Sequence, residues 1–88
     1  MLSSFSGFKA HYAGFTVLVV SEFNEWRMLA YAPGVTLHGP RQFSEIKAKE
    51  NARLLVDKYV REKRGEEPPS GEIEWEPTTS EDWVVWRG

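Results

Sequence analysis

SEIKAKENARLLVDKYVREKRG, residues 44–65, is the one segment long and periodic enough to form an extended helix. Ala48, Ala52, Leu55, Val56, Tyr59 and Val60 recur at three- and four-residue spacing, which places them on one face. Ser44 has the side chain of an N-cap, accepting from a backbone N–H that the first turn leaves unpaired. Gly65 suits the left-handed position just past a helix end. Pro68 and Pro69 prevent the helix from resuming. Phe43, immediately before the cap, is placed to pack on Ala48 as a hydrophobic staple. Two apolar residues, Ile46 and Leu54, fall off the main stripe. They mark a broad buried face or a second contact surface, which makes them candidates for a dimer contact. Glu45 with Lys49, and Asp57 with Arg61, are favourably ordered ion pairs.

The sequence before the helix reads as strands. FTVLVVSE, residues 15–22, is β-branched and aromatic with apolar residues at both parities, the pattern of a central strand. Phe23-Asn24-Glu25 is a turn, and Trp26 to Ala32 is a second strand, antiparallel to the first. Pro33-Gly34 breaks the run, and Val35 to His38 makes a short third strand. Gly39-Pro40 ends it, since proline donates nothing to a ladder. Upstream, Met1 to Ser6 has no period, and Phe8 to Tyr12 reads as a short extended lead-in.

Beyond the helix, residues 66–71 form a Pro- and Glu-rich connector. Glu72-Ile73-Glu74-Trp75-Glu76 alternates strictly, so Ile73 and Trp75 share one face while the glutamates meet water. Pro77 stops that strand. Trp83-Val84-Val85-Trp86 closes the chain as a short apolar segment, either a strand or a helical turn capped by Ser80. The expected architecture is a single α+β domain over residues 1–88. Its two layers are a three-stranded antiparallel sheet and one long helix. The order is β-β-β-α-β, with the 72–76 strand added at a sheet edge.

Composition narrows the function. The chain has 88 residues and no cysteine, which removes disulfides, thiolate metal sites and thiol nucleophiles. A domain this small without staples favours a reducing compartment, so a cytoplasmic location is expected. The longest apolar run, Val17 to Val20, is too short to cross a bilayer. His11 and His38 have no second ligand at a recognisable spacing, and no phosphate-cradling glycine motif is present. No nucleophile, base or metal set assembles, so neither an enzyme nor a cofactor or small-molecule substrate is expected.

Charge is uneven. Residues 1–65 hold ten Lys and Arg against six Asp and Glu, whereas residues 66–88 hold seven acids against Arg87 alone. A basic body with an acidic tail points to tail-on-body packing, or to a charged partner. The helix carries Lys47, Lys49, Arg53, Lys58, Arg61, Lys63 and Arg64. Among them Lys47, Lys58 and Arg61 are the candidates for nucleic-acid contact, an alternative to protein binding. Trp75, Trp83 and Trp86 are candidate partner anchors, since large aromatics concentrate binding energy at interfaces. Glu72, Glu74 and Glu76 would be their charged neighbours. Partner binding or self-association is therefore expected, with no membrane involved.

Residues 14–76 resemble the HicB-like antitoxin domain. The likeness lies in the Phe15–Val20 run, the turn to Trp26–Ala32, and Pro33-Gly34-Val35-Thr36-Leu37-His38-Gly39. It continues in a helix opening Phe43-Ser44-Glu45-Ile46 with repeated alanines, and in the Gly-Glu-Glu-Pro-Pro connector at 65–69. Gly39-Pro40-Arg41-Gln42 replaces that family's usual Gly-Asp/Glu-Thr step. The resemblance implies a degenerate RNase H-like fold without catalytic carboxylates. It also implies a dimeric or larger assembly that binds and blocks a small mRNA-cleaving toxin.

Overall fold

The computed structural model describes residues 6–22 and 25–78. Along the chain these form β1 (Ser6–Tyr12), β2 (Phe15–Glu22), β3 (Glu25–Ala32), β4 (Val35–His38), α1 (Glu45–Tyr59) and β5 (Glu76–Pro77). A π-helical turn, Val60–Arg64, extends α1. The α+β class holds, but the sheet has five strands rather than three, in the order β4-β3-β2-β1-β5. The chain order is accordingly four strands, the helix and a last strand.

The largest correction is β1. The expected lead-in is a full seven-residue strand, paired with β2 from Ser6↔Ser21 to Tyr12↔Phe15. Alternation explains it. Phe8, Ala10 and Tyr12 lie across from Val19, Val17 and Phe15, so they share the face those residues bury. The two-residue turn between the strands has positive φ at both positions, 54° at Ala13 and 83° at Gly14. Such a turn matches the twist of the strands it joins.

The strand expected over residues 72–76 pairs only at its end. Glu76 and Pro77 face Lys9 and Phe8 of β1. The backbone before them follows the connector, although Ile73 and Trp75 do turn inward while the glutamates stay exposed.

Helix α1 starts as its sequence dictates. The Ser44 hydroxyl accepts from Lys47 N–H at 3.1 Å. Its end is also where expected: Gly65 has φ 66°, and its N–H donates to the carbonyl of Val60. Ala48, Ala52, Val56 and Val60 are buried against Tyr12, Phe15, Val17, Val19, Met28 and Ala30. Two alanines at the contact let the helix lie close to the strands. Gly39 serves the same close packing at the edge, because a Cβ there would collide with the Met28 side chain.

Phe43 does not act as a staple. It is 77% exposed. The cause is a one-residue bridge just before it: Trp26 N–H donates to Gln42 O at 2.7 Å, and Gln42 N–H to Trp26 O at 2.9 Å. That bridge fixes the entry of the chain, and Phe43 leaves it pointing outward.

Candidate interaction surface

Helix α1 presents a row of side chains away from the sheet. Ile46, Glu50 and Leu54 recur every four residues, so they follow one another along the outer surface. All three are exposed, Ile46 by 69% and Leu54 by 62%. Phe43, Ile46 and Leu54 are the large apolar side chains that the described structure leaves in water. Isolated apolar residues on a surface need no explanation, but Ile46 and Leu54 share one helix and Phe43 stands just before it. Lys47, Lys58 and Arg61 are exposed on the same helix. By the roughly 100° advance per residue they fall within about 60° of one another on its outer side. By the same advance Leu54 falls among these basic residues, opposite the buried face, and Glu50 and then Ile46 lie to one side.

The inner flank of α1 does a different task. Asp57 was expected to pair with Arg61. Instead its carboxylate is buried, accepting from the Tyr12 hydroxyl at 2.5 Å and lying 3.7 Å from Arg53 Nε. Arg53 then reaches the connector, donating to the carbonyls of Pro69 at 3.2 Å and of Gly71. The Arg53 guanidinium also lies 5.1 Å from the Tyr12 ring centroid. Burial raises the Tyr12 pKa above its ordinary 10.0, and the adjoining Asp57 carboxylate raises it further by hydrogen bond and charge. No buried side-chain polar atom among the described residues lacks a partner. Arg53 therefore holds the connector after the helix through backbone carbonyls.

Lys49 pairs with Glu45 at 2.7 Å, as the spacing predicts. Its ammonium also lies 3.8 Å from the Phe8 ring centroid and 5.5 Å from that of Trp75. Trp75 is half-buried against the core cluster, so packing accounts for much of this candidate anchor. Glu72, Glu74 and Glu76 are exposed beside it. Trp83 and Trp86 lie outside the described residues. Of the sequence candidates, Ile46 and Leu54 come together on one surface with Lys47, Lys58 and Arg61. Of the tail glutamates, Glu72 lines a cleft of about 250 Å³ with Lys49, Glu50, Arg53, Ile73 and Trp75, beside that surface.

Two features escaped the sequence reading. Phe43 belongs to the exposed set, and only the Trp26–Gln42 bridge reveals it. The Tyr12–Asp57–Arg53 latch joins residues 45 positions apart, beyond the reach of any local pattern.

His11 and His38 are both exposed. His11 Nδ1 is 3.4 Å from the Thr16 hydroxyl. A shallow cleft of about 320 Å³ adjoins His38, lined also by Arg27, Met28, Gly39 and Arg41. Arg41 is engaged there with Glu25 at 3.3 Å. Among the described residues no cluster of His, Asp and Glu is arranged to hold a metal ion. No helix among them is long and apolar enough to cross a membrane. The chain matches no protein family, no curated protein and no solved structure.

Proposed function

We propose that this chain is a non-enzymatic protein-binding domain that associates with a second copy of itself through the outer face of α1. The observation that carries the reading is the exposure of Ile46 and Leu54 on α1, with Phe43 exposed just before its cap. Ile46 and Leu54 stand four residues either side of Glu50. A two-fold axis at Glu50 sets Ile46 of each copy against Leu54 of the other, the self-complementary geometry of an isologous contact. The same antiparallel arrangement sets the two Glu50 carboxylates beside the axis, a like-charge contact that weakens the dimer, with each Glu50 within side-chain reach of the other copy's Lys47. It also brings Phe43 near the other copy's Arg61, a favourable cation–aromatic pairing.

Magnitudes set the strength. Burying a Leu or Ile contributes about 1.5–3 kcal/mol, so two from each copy supply roughly 6–12 kcal/mol. The loss of free motion on association costs about 4–15 kcal/mol. The two terms are comparable, so the dimer is weak and concentration-dependent. Sedimentation of the full chain should show monomer and dimer exchanging as concentration rises. The double variant I46E/L54E should remain monomeric with an unchanged far-UV spectrum. A wild-type chain that stays monomeric to millimolar concentration overturns the reading.

The resemblance to HicB-like domains supports a finer form, in which the domain also covers a small basic RNA-cleaving protein. Exposed Glu72, Glu74 and Glu76 supply the acidic surface such a partner requires.

A further inference from the structure

The sheet departs from a plain ladder where β4 leaves it. Gly39 N–H donates to Met28 O at 3.4 Å, and Trp26 and Gln42 exchange both their bonds, at 2.7 and 2.9 Å. Between those two points β3 contributes one residue, Arg27, and the facing chain contributes two, Pro40 and Arg41. One extra residue on one side is a β-bulge, a device that re-aims side chains at sheet edges. Pro40 suits it, since a bulged position needs no ladder donor.

The bulge decides where Arg41 goes. Trp26, Met28 and Ala30 pack toward α1, so Arg27 and Leu29 between them belong to the other face. His38 lies across from Leu29 and shares that face. In an unbroken register Arg41 would stand opposite Trp26, on the α1 side. The extra residue gives that place to Gln42 and leaves Arg41 level with Arg27. Arg27, His38 and Arg41 consequently line one open cleft of about 320 Å³, together with Met28 and Gly39. That volume is at the small end for a ligand site.

We propose that this cleft binds a phosphate monoester. Two planar guanidinium forks and an imidazole meet there from three separate positions, and forks of this kind match phosphate oxygens. A carboxylate or a phosphodiester offers two such oxygens, whereas a monoester offers three, one for each group. Glu25 competes for the site, its Oε1 lying 3.3 Å from Arg41 Nη1. The Arg41 side chain is 61% exposed, so water screens this pair and an incoming phosphate can displace the carboxylate. Arg27 and His38 stand on the face turned away from α1, so the site is independent of the dimer contact.

The test is titration of the full chain with inorganic phosphate, followed by proton–nitrogen NMR of the arginine Nε–H groups and the His38 ring. Saturable shifts of Arg27, Arg41 and His38 are expected, and chloride at equal ionic strength should not reproduce them. R41Q should weaken binding by about tenfold or more, the loss of one charge-assisted hydrogen bond. E25Q removes the competing acid and should bind more tightly than wild type, a gain that misfolding cannot imitate. Shifts that never saturate, equal shifts with chloride, or an R41Q affinity equal to wild type overturn the proposal. A nucleoside monophosphate should saturate the same resonances at lower concentration than an oligouridylate without terminal phosphates. The reverse order overturns the monoester and assigns the cleft to a nucleic-acid backbone.

Discussion

Tyr12 and Asp57 show how much one buried pair decides. The Tyr12 hydroxyl satisfies a carboxylate that would otherwise be buried with only Arg53 for company. Through Arg53 the same group fixes the carbonyls of Pro69 and Gly71, so the connector is held at the helix. Tyr12→Phe removes the donor and leaves the carboxylate short of a partner, at a cost of about 1–3 kcal/mol. Urea denaturation should read that loss. The pair also carries a pH signature. The fold holds Tyr12 in its protonated form and raises its pKa above 10.0. Its contribution is fully present below pH 10 and is lost as pH rises through the raised value. The wild-type chain should therefore lose stability above pH 10 more steeply than Tyr12→Phe. Equal slopes in the two proteins would remove the linkage.

At the scale of elements, α1 has two faces with opposite sensitivities. Ala52 is 1% exposed and lies among the residues that meet the sheet. Ala52→Leu forces extra methylenes into a closed contact and should destabilise by about 1–3 kcal/mol. Leu54→Ala, two residues later, removes a side chain that is 62% exposed. Its effect on monomer stability should stay within about 0.5 kcal/mol. Thermal melts at low concentration distinguish the two, and a large loss in Leu54→Ala would show that the outer face is not free in the monomer. The strands divide in a similar way. β2 is the centre of the sheet and buries both its parities, which is why Val17, Leu18, Val19 and Val20 form a continuous apolar run. β4 is a four-residue edge strand and β5 contributes two residues.

For the whole molecule, those pairings set a gradient of local stability. Amide exchange should be slowest in β1, β2 and β3, which pair along seven or more positions, and fastest in β4 and β5. Comparable protection in β5 and β2 would contradict this ordering. The long helix, its cap, its left-handed stop and the succession of strands β2 to β4 were legible from the sequence. Each rests on local periodicity or on the conformational limits of Ser, Gly and Pro. The departure of Ile46 and Leu54 from the apolar stripe was legible for the same reason, but a broad buried face would have given the same pattern, and only the tertiary structure shows them exposed. The rest required tertiary contacts. Phe8 to Tyr12 became a strand because β2 offered it an edge. Phe43 turned outward because Gln42 was caught by Trp26, and Asp57 turned inward because Tyr12 and the connector closed over it. Local sequence determined the helix and strands β2 to β4; packing between distant segments decided strand β1 and which residues remain on the surface.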